Sequence, residues 1–183
     1  MQKKYCVNCF LIIELEAASC SRCKYPQDKV DNPAYLHPPF RLVDQYYIGR
    51  MLGQGGFAFT YLGYDKHLGT LVAIKEYFPL EFATRGADGL TVVPYPGQAG
   101  VMFQAGKEKF ITEARLLAGF RSSNIIKIRH FFTANNTAYF AMEYLLGATL
   151  TQQLEKNGGR LAFAQAKAVL MPLLDALDEV HQK

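Results

Sequence analysis

The chain has 183 residues, half of them apolar and a fifth charged, with a formal net charge of +4. This suits one ordinary globular domain plus a small appendage and excludes an intrinsically disordered chain. The excess of Lys and Arg is mild and scattered, so it does not call for a nucleic-acid partner. No stretch reaches the roughly 20 apolar residues of a membrane span. The run "FLII" near the N-terminus is too short for a signal-peptide core. The expectation is a cytoplasmic protein without a membrane segment.

The first feature in chain order is the cysteines. All four lie within the first 23 residues, as Cys6, Cys9, Cys20 and Cys23 in two C-x-x-C pairs. Each pair can aim two thiolates at one point, and two pairs make a tetrahedral site for a structural zinc ion. So short a segment cannot build its own core, so metal binding would supply most of its folding energy. Residues 1–27 therefore read as a zinc ribbon. A redox dithiol pair is the other reading of the same four residues. Lys3, Lys4, Arg22 and Lys24 make the segment slightly basic, which a solvated face explains. Protein contact or autoregulation is the expected role.

Residues 28–44 carry three prolines and no clean period and read as a linker. From residue 45 onward, strand and helix patterns alternate. "YYIGRML" and "TYLGYD" flank a glycine cluster as two strands of a hairpin would, and "TLVAIKEY" is a third strand. Residues 78–106 are rich in Gly and Pro and read as an irregular insertion with a short strand at "LTVVPY". A helix is expected over 107–120, where Phe110, Ala114, Leu117 and Ala118 recur at helical spacing. Residues 125–145 read as two strands joined at "TANNT", whose asparagines suit a turn. Residues 163–183 form a helix with one apolar stripe from Ala166 to Val180 for a core, interrupted by Pro172.

Two features of this pattern carry chemistry. Gly53, Gly55 and Gly56 can lay bare main chain over a polyanion, although glycines in a hairpin are also ordinary turn residues. Lys75 sits on a strand between apolar neighbours, where lysine is uncommon unless paired. It reads either as a lysine reaching solvent or as one aimed at phosphate and held by a carboxylate. Glu113, on the helix after the insertion, is the candidate carboxylate.

In this order, "LGQGGFAFTYLGYD", "VAIK", "F--EA--L", "NIIKI" and "AYFAMEYLLGATL" resemble the first half of a protein-kinase domain, in particular that of bacterial serine/threonine kinases. The resemblance runs from about Tyr46 to the C-terminus. It implies an α+β small lobe, with a five-stranded antiparallel sheet and one helix, to about residue 144. The first helices of the large lobe would occupy 145–183. It also implies an ATP site. The glycine-rich loop would contribute Leu52, Gly53, Gln54, Gly55, Gly56, Phe57, Ala58 and Thr60. Ala73 and Leu52 would sandwich the adenine, Lys75 would contact the α- and β-phosphates, and Glu113 would hold Lys75. Met142 would be the gatekeeper, and Glu143 and Leu145 would supply the adenine-reading main-chain groups. Ala58 stands where the family often has a third glycine, and Thr60 replaces its usual valine.

The family's catalytic-loop and DFG aspartates follow later in the domain, and no "HRD" or "DFG" occurs here. The implied cofactors are ATP with Mg²⁺, whose ligands are not in this chain, and structural zinc. The implied partners are ATP and a protein substrate or regulatory protein. Residues 1–183 are expected to bind ATP without useful phosphate transfer, as a fragment, a truncated product or a half awaiting a partner, and the last helix, without the rest of its lobe, is expected to expose much of its apolar stripe. The alternative is a non-catalytic nucleotide- or protein-binding module.

Overall fold

A computed structural model describes residues 3–27, 32–38 and 40–182. Strands β1 (Lys3–Tyr5) and β2 (Ile12–Glu14) pair antiparallel beside the cysteines. The main sheet follows with β3 (Phe40–Leu42), β4 (Tyr46–Gln54), β5 (Ala58–Asp65) and β6 (Thr70–Tyr77). A small hairpin, β7 (Ala83–Arg85) and β8 (Val92–Pro94), leads into helix α1 (Gln98–Ala118). Strands β9 (Ile128–Ala134) and β10 (Thr137–Glu143) complete the sheet, followed by α2 (Leu150–Lys156) and α3 (Phe163–His181). The order across the main sheet is β3-β4-β5-β6-β10-β9, with every neighbour antiparallel. The turn between β9 and β10 uses Asn135 and Asn136, both at positive φ, a conformation asparagine tolerates better than most residues.

Alternation along the strands gives the sheet two different faces. On one, Tyr77 packs against Phe103 and Phe110 of α1, and Phe110 stacks on Phe140 at 4.8 Å between ring centroids. Lys75 lies opposite both Thr60 and Phe140 in the ladders, and Ala73 lies opposite Met142. These residues therefore share the α1 face. The other face carries Phe59, Tyr61, Ile74, Glu76 and Tyr139, all essentially buried.

The structure differs from the sequence expectation in two places. First, the sheet has six strands among the described residues, because part of the segment read as a linker forms edge strand β3. Leu36 and Leu42 are buried in the core, and the Leu36 N–H donates to the Tyr61 hydroxyl at 3.1 Å. Burial of these two leucines holds down a proline-rich stretch with no pattern of its own.

Second, the insertion is not wholly irregular. Its short strand is β8, and its last nine residues, 98–106, belong to α1. Three glycines around the first turns weigh against a helix by propensity. Packing overrides them: Phe103 is fully buried, and Gly106 lies so close to Tyr77 that a methyl group there would overlap the phenol oxygen. That hydroxyl donates to the Phe103 carbonyl at 3.1 Å.

Helix α3 forms as expected with Pro172 inside it, and its stripe is exposed as expected for a helix without the rest of its lobe: Ala176 is its one buried residue, and Leu170, Leu173 and Leu174 are about half exposed. The core its stripe was expected to meet is not formed by the described residues. No helix among them is long and apolar enough to cross a membrane.

Candidate nucleotide site and cysteine cluster

Lys75 is held at mid-strand by neighbours on both sides, and its ammonium reaches Glu113 Oε1 of α1 at 2.9 Å. Buried Phe110 and Ala114 seat α1 on the sheet and so turn Glu113 toward the strand. The Lys75 Nζ also lies 5.5 and 5.2 Å from the ring centroids of Phe110 and Phe140. Both charges keep contact with water, Lys75 at 28% and Glu113 at 49% side-chain exposure. A pair this wet contributes little to stability, at most about 1 kcal/mol. Its effect is positional: it holds an ammonium in the extended form above the sheet face that carries Thr60, Ala73 and Met142.

The glycine-rich turn closes this face at one end. Gly53 and Gly56 would meet nothing within 4 Å if a Cβ were added, and Gly55 would meet only the Ala58 carbonyl at 3.7 Å. None of the three has positive φ. The fold itself therefore has no steric need for glycine here, unlike at Gly106, and the open space is where an external group could approach main-chain N–H groups. The turn is supported from behind. Phe57 O accepts from the Phe78 N–H at 2.9 Å, and Gln54 Oε1 accepts from the Tyr35 hydroxyl at 2.7 Å. Phe57 is 63% exposed at the tip, Ala58 is buried, and Leu52 is half-buried at the end of β4.

At the far end of the same face, Met142 is half-buried and Glu143 ends β10. The main-chain N–H of Glu143 donates to Lys127 O at 3.1 Å, and its side chain accepts from the Lys127 N–H at 3.2 Å. Leu145, just beyond, is 67% exposed. No hydrogen bond from the described residues engages its main chain. A cavity of about 840 Å³ is lined by Glu113 together with Lys109, Leu116, Leu117, Phe120 and Val180, and no other residue of the candidate nucleotide site lines it.

Sequence reasoning missed a second charged pair, on the opposite face of the same strand. Glu76 and Arg85 are 0% and 3% exposed, and their side chains meet in a two-point contact, with Arg85 Nη1 to Oε1 at 2.8 Å and Nη2 to Oε2 at 2.7 Å. Tyr139 and Tyr61 donate their hydroxyls to the same carboxylate at 2.7 and 3.1 Å. The remaining guanidinium donors reach the carbonyls of Ala34 and Leu90, and the cation lies 4.4 Å over the Phe78 ring. Burial works against the Arg85 charge, but its bonds and attraction to Glu76 outweigh that and hold its pKa above the ordinary value. Burial and the nearby Glu76 charge push both tyrosines upward, keeping them neutral donors. The pair ties the insertion and the Ala34–Leu36 segment to the back of the sheet. One legible signal was available: a glutamate and an arginine, each inside a short strand-like run.

The four cysteine Sγ atoms lie within 4.8 Å of one another, with Cys6–Cys23 at 3.7 Å and Cys9–Cys20 at 3.5 Å. Those separations are far beyond a disulfide bond. They match the edge of about 3.8 Å that a tetrahedron of Zn–S bonds of about 2.3 Å requires. The two C-x-x-C turns share one main-chain design. In the first, Cys6 N–H donates to Leu11 O and Phe10 N–H to Cys6 O; in the second, Cys20 N–H donates to Tyr25 O and Lys24 N–H to Cys20 O. Phe10 and Lys24, each directly after its second cysteine, have φ of 56° and 59°. The Asn8 and Cys9 N–H groups and the Gln27 amide approach Cys6 Sγ at 3.4–3.5 Å, orienting it as outer contacts orient metal ligands. The Cys23 N–H draws the Cys20 thiol down to about 6. Cys6 and Cys20 are fully buried. The donor set and spacing fit a structural zinc ion.

Known proteins place the larger part of the chain. Residues 46–183 match the protein kinase domain family. Over 142 residues the chain is 30% identical to CBL-interacting serine/threonine-protein kinase 16 of Arabidopsis thaliana, covering 78% of this chain and 26% of that protein. Over 145 residues it is 27% identical to serine/threonine-protein kinase D of Synechocystis sp., covering 78% and 25%. Among solved structures, the chain described as "PpkA-294 apo form" superposes with a TM-score of 0.75 at 34% identity, over 81% of this chain and 52% of that one. The chain thus spans about a quarter of the length of these curated relatives. The family match begins at Tyr46, where β4 begins, and takes in the glycine-rich turn, the Lys75–Glu113 pair and β10, so the chain belongs to the protein kinase family.

Proposed function

We propose that residues 46–183 are the nucleotide-holding part of a bacterial-type serine/threonine protein kinase, and that residues 1–27 form a zinc ribbon ahead of it. The observation that carries the kinase reading is the Lys75–Glu113 contact at 2.9 Å on the sheet face closed by Gly53, Gly55 and Gly56. In this reading the glycine-rich turn Gly53–Phe57, braced by the Gly55 N–H to the Ala58 carbonyl at 2.9 Å, covers the phosphates of ATP. Lys75, held by Glu113, neutralises charge on the α- and β-phosphates. Ala73 and Leu52 sandwich the adenine, backed by Met142, and the unengaged main chain of Leu145 together with the Glu143 carbonyl reads its edge. Thr60 and Ala58 shape the floor beneath the loop. Mg²⁺ would neutralise phosphate charge through ligands outside these residues.

Phosphoryl transfer to a protein hydroxyl is mostly positioning and charge stabilisation. This chain supplies the positioning of the nucleotide and no catalytic-loop aspartate, so residues 1–183 alone bind ATP and do not turn it over usefully. Cys6, Cys9, Cys20 and Cys23 would hold one Zn²⁺, which supplies folding energy and leaves no open position for chemistry. Titration of the purified chain with a fluorescent ATP analogue tests the kinase reading. Saturable binding that Lys75→Met weakens about tenfold or more supports it; equal binding by both proteins refutes it.

A further inference from the structure

The cysteine segment does not hang from the kinase domain; it is seated on it, at one strand. In β4 the pairing with β5 shifts register between Ile48 and Met51, and again between Met51 and Gly53. Gly49 and Arg50 stand opposite Leu62 alone, so this stretch is released from the ladder as in a β-bulge. The freed Arg50 N–H donates to Val7 O at 2.8 Å, and Arg50 Nε donates to Asn8 Oδ1 at 2.7 Å. Val7 and Asn8 are the two middle residues of the first C-x-x-C turn.

The same Arg50 guanidinium lies 5.5 Å over the ring of Tyr25, which follows the second turn. A Cβ on Gly49 would overlap the Val7 carbonyl and come within 2.8 Å of the Phe10 ring. Gly49 is therefore glycine because the cysteine segment rests on it. Tyr5 against Tyr47 at 4.5 Å and Phe10 against Tyr64 at 5.6 Å extend the contact.

The irregular part of β4 is thus held by the cysteine turns where the sheet does not hold it, and it runs directly into Leu52, Gly53 and Gln54. We propose that Arg50 and Gly49 are positioning residues that couple metal occupancy of the four thiolates to the order of the glycine-rich loop, and hence to ATP affinity; this rests on the zinc and nucleotide readings above. Among the described residues, the cysteine segment's own core cluster is Cys6, Ile13 and Cys20 with a few half-buried neighbours. Loss of metal by chelation would unfold it. The Arg50 N–H would then lose its acceptor, and the start of the loop would lose its brace.

The test compares the full 183-residue chain loaded with zinc and after chelation, by amide hydrogen exchange and by affinity for a fluorescent ATP analogue. The expected result is exchange over residues 46–54 faster by about tenfold or more on chelation, as the loss of two hydrogen bonds gives. Exchange in β6 and β10 should stay unchanged, and ATP-analogue affinity should weaken by a similar factor. Arg50→Ala and, independently, Gly49→Ala should accelerate the same amides with one zinc still bound per chain, since neither residue is a ligand. If chelation exposes residues 3–27 and leaves 46–54 as protected as before, the coupling is refuted. A chain that holds no zinc refutes it together with the ribbon reading. If no nucleotide binds in either metal state, the nucleotide reading fails, and the exchange result still decides whether the loop is braced.

Discussion

Replacing Arg85 with alanine should destabilise the protein far more than replacing Lys75, although the two residues pair with carboxylates in contacts of similar length. Lys75 and Glu113 keep 28% and 49% of their side-chain surface in water; Arg85 and Glu76 keep 3% and none. Removing Arg85 leaves the Glu76 carboxylate buried with two tyrosine hydroxyls and no countercharge, and strips donors from the carbonyls of Ala34 and Leu90. Breaking a buried pair on one side costs about 3–5 kcal/mol. For a chain of this size that lowers the melting temperature by roughly 6–20 °C. Losing the wet pair in Lys75→Met costs under about 1 kcal/mol. Urea unfolding of the three proteins, with unchanged slopes, gives both values directly. The double replacement Glu76→Leu with Arg85→Leu should recover part of the loss, because it leaves no charge stranded. An Arg85→Ala midpoint no lower than that of Lys75→Met would refute the view that the buried pair clamps the insertion and the Ala34–Leu36 segment to the sheet.

Three further outcomes are expected. Protein purified without chelators should carry one zinc per chain by elemental analysis, and Cys20→Ser should lose it; metal-free wild-type protein would remove the ribbon reading. Gly106→Ala should destabilise by about 1–3 kcal/mol, because the added methyl overlaps the Tyr77 hydroxyl and outweighs alanine's better helix propensity; a stabilised variant would show that α1 can shift. Asp88 is drawn down to about 2 by the Thr91 hydroxyl and then by the Leu90 and Thr91 N–H groups. Its folded pKa lies below the unfolded value of about 3.9, so its stabilising contribution is full above that value and is lost as pH falls toward 2. The gap in urea midpoint between wild type and Asp88→Ala should therefore hold from neutral pH down to about 5, narrow below about 4 and close near 2; a gap independent of pH would contradict the assignment.

What the sequence determined by itself is whatever depends on short stretches and their order. The glycine cluster, "VAIK", the helix glutamate and "MEYL" each constrain a few consecutive residues, so the kinase-like fold was legible, and so was the pairing of Lys75 with Glu113 in the candidate site. So were the two C-x-x-C turns, because each closes on itself through hydrogen bonds spanning four or five residues. The tertiary structure decided the rest, where distant segments choose the conformation. Residues 98–106 are helical because Phe103 and Gly106 fit against Tyr77, against their local propensity. The linker's Phe40–Leu42 is a strand because β4 offers it an edge, with Leu42 buried there. Glu76 and Arg85 look like surface charges until the sheet puts them under the same cover. Gly49 looks like one more strand glycine until the cysteine turns rest on it. In each case burial against a partner far along the chain outweighs a local preference of a fraction of a kcal/mol to about 1 kcal/mol per residue, and a reading of neighbours alone does not register that partner.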